Sequence, residues 1–337
     1  MRFSNVSVAG LACIDAPERV PSSDLEARLS PLLRRLGIAP GVIASLSGVV
    51  ARRFWADGVQ PSDVAARAAA EALARAAVPA ERVGVIINTS VCRDFVEPST
   101  ACLVHRKLGL SPSCLNFDLG NACLGFIDGM GVAARMIEHG EVDYGLVVDG
   151  EGSRFAVERT IERLNTSGDA RAFADNFATL TLGSGAAAMV LARSDLAPSG
   201  HRFSGCTTLA ATEHSHLCRG QVDGMVTDGM KLLTAGVDLA KQTFARAADI
   251  LGWTAQVLDE VVIHQVSRLH TERLADALGI ELGKIHAIYP EFGNVGPASV
   301  PMVLAKAEQL GRLSRGDRIA LMGIGSGLNC AMAEVVW

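Results

Sequence analysis

One structural unit is written twice in this chain, and the duplication limits its possible folds more than any other feature. Asn121-Ala-Cys123-Leu-Gly opens a helical pattern that stops at Gly140, and Gly293-Asn294-Val-Gly-Pro opens one that stops at Gly311. Cys123 to Gly140 and Asn294 to Gly311 are each 17 positions. Each pattern leads into an apolar strand, Tyr144 to Asp149 in the first copy and Arg318 to Gly323 in the second. Two more β-branched runs, Val83 to Thr89 and Leu258 to His264, each follow an alanine-rich helical stretch and read as counterpart strands. A repeated strand-turn-helix-strand unit predicts an α/β fold of two like halves. Such sheets bind ligands at the carboxyl ends of their strands, where Cys123, His264, Asn294 and Ser326 all fall. Ala197-Pro-Ser-Gly200 marks the join and places the halves at residues 1–195 and 196–337.

Composition agrees with that architecture and removes several functions. The length, 337 residues, suits two fused domains, and 49% hydrophobic residues with 34 glycines but only 5% aromatics indicate close packing of helices on sheets. A net charge of −5 with no long basic run predicts no nucleic-acid partner. The eight cysteines contain no Cys-x-x-Cys pair or nearby histidine at zinc spacing, so no metal site is expected. The first ten residues lack the apolar core of a secretory signal, which predicts reduced thiols and a cytoplasmic location. The longest weakly polar stretch, Ala178 to Ala192, is too short and interrupted for a transmembrane segment.

Cys123 follows the strand Cys114 to Asp118 and stands at the first turn of a helix, where free backbone N–H groups and the helix dipole favour a thiolate. Free cysteines are more often inert core. Here small neighbours, Ala122 and Gly125, let a substrate carbonyl approach, and the Cys123 peptide N–H is placed to donate to an oxyanion. His264 ends an apolar strand, and Asn294 opens the second helix of the repeat, where asparagine is commonly only a cap. Together a thiol, an imidazole and an amide at matching turns make a nucleophile with a polar pair for a developing enolate. The turn Gly323-Ile-Gly-Ser326-Gly-Leu-Asn329 offers a second oxyanion donor at Ser326. The other histidines, including His214 and His216, read as surface or loop residues, and Glu158 to Arg163 as a solvated helix face.

These segments resemble the thiolase superfamily, in the branch holding the type III β-ketoacyl-acyl-carrier-protein synthases, over nearly the whole chain. The resemblance implies a five-layered αβαβα thiolase fold of two pseudo-symmetric halves, a homodimer, and a Cys-His-Asn site at Cys123, His264 and Asn294. It implies coenzyme A thioesters as substrates and no further cofactor. In type III synthases the residue before the Pro-Ser pair is typically apolar and reaches into the partner's site. In Arg93-Asp-Phe-Val-Glu97-Pro-Ser it is Glu97. That residue, the opening Asn5 to Pro17 and the Val262 to Ser267 strand resemble the long-chain acyl-CoA-condensing thiolases of bacterial olefin biosynthesis, whose glutamate crosses the dimer interface as a base.

That closer resemblance implies a non-decarboxylative, head-to-head Claisen condensation of two fatty acyl-CoAs. The product is a 2-alkyl-3-ketoacyl thioester or its β-keto acid, and downstream olefin-pathway enzymes are the expected partners. A malonyl donor makes its carbanion by losing CO2, whereas an unactivated acyl thioester must lose an α-proton to a base. A carboxylate in an apolar pocket has the raised proton affinity this needs. One departure is clear: type III synthases stack the CoA adenine between an early Trp and Arg, and Val42 to Leu46 has neither. Arg52, Arg53 and Trp55 lie nearby as substitutes, although paired arginines are usually solvated. Two alternatives remain at this stage, a decarboxylative synthase or acyltransferase using the same cysteine, and a non-catalytic partner subunit, which normally lacks the nucleophile.

Overall fold

The computed structural model describes all 337 residues. Nine strands form one mixed sheet: β1 (Val6–Asp15), β2 (Val85–Asn88), β3 (Leu115–Asp118), β4 (Tyr144–Glu151), β5 (Gly185–Arg193), β6 (His201–Ala210), β7 (Glu260–Ile263), β8 (Arg318–Gly325) and β9 (Asn329–Val336). Their spatial order is β7-β8-β9-β6-β1-β5-β4-β2-β3. Only two residue pairs, Ser7 with Arg202 and Val8 with His201, join β1 to β6, so the sheet divides there into two half-sheets. Within them β2 runs parallel to β3 and β4, and β7 runs parallel to β8, with antiparallel pairing elsewhere.

The helices that pack on the sheet are α1 (Pro61–Ala76), α2 (Thr100–Leu108) and α3 (Gly125–Glu138) from the first half and α4 (Gly229–Leu251), α5 (Arg268–Leu278) and α6 (Ser299–Gln309) from the second. The strands show why these make five layers. In β5, Ala186, Ala188, Val190 and Ala192 pack against α1, while Ala187, Met189 and Leu191 face a central core shared with α3 and α6. β8 and β9 repeat the division, Ala320, Met322, Cys330 and Met332 outward towards α4 and α5, Ile319, Leu321, Ala331 and Ala333 inward. Strands buried on both faces lose hydrophobic alternation and read as continuous apolar runs. This is the five-layered thiolase fold, with α3 and α6 as its middle layer. A fourth cluster, built on Leu25, Leu32, Val157, Ile161 and Leu180, covers one end of the sheet. No helix is long and apolar enough to cross a membrane.

The repeat seen in the sequence ends each central helix in the same way. Gly140 (φ 72°) and Gly311 (φ 66°) are left-handed, and the next N–H reaches back five residues, Glu141 to Met136 and Arg312 to Ala307. The helix starts differ from expectation. The α3 helix begins at Gly125 rather than Cys123, because Leu124 and Gly125 first bond back to Asn121 and Ala122 in a tight turn. The second begins with a single 3-10 turn, Gly296–Ala298, before α6.

The two outer edges of the sheet are treated differently. At β3 the edge is open, with Leu115 54% exposed. Just past β7 the Gln265 side chain instead holds the segment that follows α5, accepting from the N–H groups of Ile288 (2.7 Å) and Tyr289 (2.8 Å) and donating to the carbonyl of His286.

The halves are also locked through backbone. Asn294 N–H donates to Thr181 O at 2.9 Å, and Gly183 N–H donates to Asn294 O at 2.8 Å. A Cβ at Gly183 would stand 1.8 Å from Phe292 O, so only glycine fits there. Gly183→Ala is expected to destabilise the fold by about 3 kcal/mol through overpacking, read as an earlier denaturant midpoint at unchanged slope.

Candidate active site

Cys123 sits on a strained elbow. Ala122 before it has φ 45°, an uncommon conformation for a residue with a Cβ, costing about 1 kcal/mol. The elbow is possible because glycines surround it: a Cβ on Gly125 would stand 2.7 Å from Thr89 O, and one on Gly323 would stand 2.6 Å from Leu124. The Asn121 side chain holds the base of the turn, donating to Asp128 at 2.6 Å and accepting from Asn329 at 3.2 Å. Part of Cys123 remains open to solvent, and its N–H has no acceptor within the chain.

His264 extends the β7 ladder by one bond, its N–H donating to Met322 O at 2.8 Å, and is 3% exposed. Its Nε2 lies 3.0 Å from Asn294 Oδ1, and that same oxygen accepts from Gly296 N–H at 3.0 Å. The second contact fixes which amide atom is oxygen, which makes His264 the Nε2–H tautomer and leaves Asn294 Nδ2 without a partner in the chain. Ser326 lies in the β8–β9 turn beside Gly325, where a Cβ would stand 3.4 Å from Cys123 N. The Ser326 N–H is unpartnered, and its hydroxyl donates to Cys218 Sγ at 3.2 Å. The glycine turn Gly323 to Gly325 is thus the wall along which Cys123, His264 and Ser326 assemble. Glu97 is not among them. It lies on an exposed loop, and its carboxylate makes no hydrogen bond or ion pair within the chain.

Three expectations are corrected. Cys123 does not rest as a thiolate. Burial, with Cys218, Glu151 and Asp149 adding to it, pushes the thiol up to about 12, outweighing its own N–H. Arg52 is not a solvated arginine available to CoA. It is fully buried, donates to Leu180 O at 2.8 Å and Ser22 Oγ at 3.0 Å, and burial lowers it to about 10. Trp55 is likewise engaged, its indole N–H donating to Glu151 O at 2.8 Å. Finally, His270 is no surface residue. Its ring meets His264 edge-on at 6.5 Å, and burial takes His270 down to about 3 and His264 to about 4, so both are neutral near pH 7.

Sequence reading missed the acids below the cysteine. Asp149 and Glu151 end β4, 0% and 5% exposed, and desolvation raises both, Glu151 to about 7. The signal was present: two carboxylates closing an otherwise apolar strand at its ligand-binding end.

A half-buried thiol, a neutral imidazole and a free amide at the centre of two fused α/β halves define a thiolase-fold condensing enzyme. Residues 117–208 match the family 3-oxoacyl-acyl-carrier-protein (ACP) synthase III, and residues 249–337 match its C-terminal region. An acyl-CoA:acyl-CoA alkyltransferase of Xanthomonas campestris is 54% identical, and one of Shewanella oneidensis 37% identical, over 100% of both chains in each case. A β-ketoacyl-acyl-carrier-protein synthase III of Neisseria gonorrhoeae is 28% identical over 85% of this chain and 87% of its own. The crystal structure of cerulenin-bound OleA from X. campestris matches with a TM-score of 0.98 at 53% identity, covering 100% of this chain and 98% of that one. The chain belongs to the OleA family of acyl-CoA:acyl-CoA alkyltransferases. Other solved structures of that OleA carry substitutions at one glutamate, one cysteine and one histidine. Its glutamate and cysteine are as far apart in sequence as Glu97 and Cys123, and its histidine lies one position further on than His264 does here.

A thiol near 12 gains thiolate in proportion to hydroxide across the accessible range. Alkylation of Cys123 by iodoacetamide in the free enzyme should therefore accelerate about tenfold per pH unit from pH 7 to 10. Mass spectrometry of the labelled peptide reads the rate, and a plateau near pH 7 would show a preformed thiolate instead.

Proposed function

We propose that this enzyme joins two long-chain fatty acyl-CoA molecules head to head, without decarboxylation, as the first step of long-chain olefin biosynthesis in the cytoplasm. Glu97 carries the reading: a carboxylate stands at the tip of an exposed loop, in the segment where decarboxylating relatives need no base. Full-length similarity to the acyl-CoA:acyl-CoA alkyltransferases, closer than to the type III synthase, supports it.

The Cys123 sulfur attacks the thioester carbonyl of the first acyl-CoA, its proton leaving with the expelled CoA thiolate to give free CoA and acyl-Cys123. The N–H groups of Cys123 and Ser326 hold the tetrahedral oxyanion. The second acyl-CoA places its thioester oxygen between His264 Nε2–H, which turns to it from Asn294 Oδ1, and Asn294 Nδ2, two neutral donors that receive the enolate charge. Glu97 of a partner subunit takes the α-proton, the enolate carbon attacks the acyl-Cys123 carbonyl, and collapse of that adduct breaks the carbon–sulfur bond, the departing sulfur taking up the proton that Glu97 removed. The product is a 2-alkyl-3-ketoacyl thioester, or the β-keto acid after hydrolysis. No cofactor beyond the CoA thioesters enters this scheme.

A homodimer is part of the reading. Around Glu97 the loop exposes Val91 (56%), Phe95 (57%) and Val96 (91%), apolar surface that favours burial against another chain, and β3 offers an unpaired edge on the same half.

Purified enzyme given myristoyl-CoA alone should release CoA and a product that yields a ketone. Cys123→Ala should abolish both, and Glu97→Ala should lower condensation about 10²-fold or more while acyl-Cys123 still forms. A strict requirement for a malonyl carrier protein would instead establish the decarboxylative alternative.

A further inference from the structure

The loop that carries Glu97 is fastened to the end of β4 residue by residue. Thr89 N–H donates to Val148 O at 2.9 Å and its hydroxyl to Asp149 at 2.6 Å, and Gly150 N–H donates to Ser90 Oγ at 2.8 Å. Glu151 makes the last attachment: Oε1 accepts from Val91 N–H at 2.6 Å and Oε2 from Cys92 N–H at 3.3 Å. The far side of the loop is fixed by Asp94, which accepts from Ser62 N–H at 2.9 Å, and by Ser99, which caps α2. Between these points Phe95, Val96, Glu97 and Pro98 stand in the open.

Glu151 is also wedged against the asparagine turn, since a Cβ on Gly296 would stand 3.5 Å from its carboxyl carbon. Both of its oxygens are nevertheless spent on the loop. We infer that Glu151 is a positioning residue that acts in trans: it holds the root of the loop so that Glu97 reaches the partner subunit's Cys123, and it is dispensable for acylation of the cysteine beside it. The inference rests on the reading that Glu97 serves the partner's site. A carboxylate is required because two N–H donors converge on it. A glutamine of equal volume offers one oxygen and turns an NH2 group towards the other donor, losing one bond and opposing two donors.

Glu151→Gln should therefore expose the amides of Val91 and Cys92 to faster hydrogen exchange. Condensation should drop about 10²-fold, as expected for a misplaced catalytic group, while acyl-Cys123 forms from myristoyl-CoA no more slowly than in the wild type, because losing the Glu151 charge favours the Cys123 thiolate. That acylation also shows the variant is folded. Co-expressed, differently tagged Glu151→Gln and Cys123→Ala chains should recover condensation in the mixed dimer, where an intact Cys123 faces an intact loop from the other chain. Unchanged exchange at Val91 and Cys92, or lost acylation, would overturn the inference. So would failure of this mixture while Glu97→Ala with Cys123→Ala is rescued. If that control mixture fails too, the reading of Glu97 falls instead, and the exchange data alone decide whether Glu151 anchors the loop.

Discussion

Two helices packed between the half-sheets set the terms for the rest of the molecule. The α3 and α6 helices lie between the half-sheets, with Phe126, Ile127, Met130, Ala133, Ala134 and Ile137 buried on one and Val300, Met302, Val303, Leu304 and Ala305 on the other. Neither can rotate or slide without opening a cavity, and each missing side chain in such a core costs about 2–5 kcal/mol. The turns that lead into them inherit this rigidity. Cys123 and Asn294 come from different halves of the chain, yet their separation is fixed by helix packing and by the backbone bonds of Asn294 to Thr181 and Gly183.

The same burial leaves the thiol and both imidazoles of the resting site uncharged. The thiol is pushed up, both imidazoles are pushed down, and the acids under the cysteine are pushed up, in every case with desolvation as the largest cause. A neutral thiol and imidazole accept an alkyl chain beside them without an ion of their own to desolvate. It also gives fixed dipoles their greatest leverage, because a developing oxyanion in low dielectric is stabilised by oriented N–H groups that water would otherwise screen.

Much of this could be read from sequence where the physics is local. The 17-residue spacing was legible because a left-handed glycine must end each helix, and the positions of Cys123, His264 and Asn294 followed from strands whose ends are marked by glycine and polar residues. What escaped depends on atoms distant in the chain. The ionisation of Cys123 is set first by burial, to which Cys218 and the β4 acids Glu151 and Asp149 add from other parts of the chain. Arg52 looks like half of a surface pair until Leu180, 128 positions away, supplies the carbonyl that buries it. The start of α3 slipped by two residues because the Ala122 elbow uses up the first two N–H groups.

The unequal edges of the sheet bear on stoichiometry. Gln265 spends its side-chain amide on the backbone of His286, Ile288 and Tyr289 just past β7, while at the other end of the sheet β3 has no neighbouring strand. A molecule sticky at both ends of its sheet would polymerise. An unpaired β3 edge is where an added strand would extend the sheet, and whatever pairs there uses up that capacity for growth.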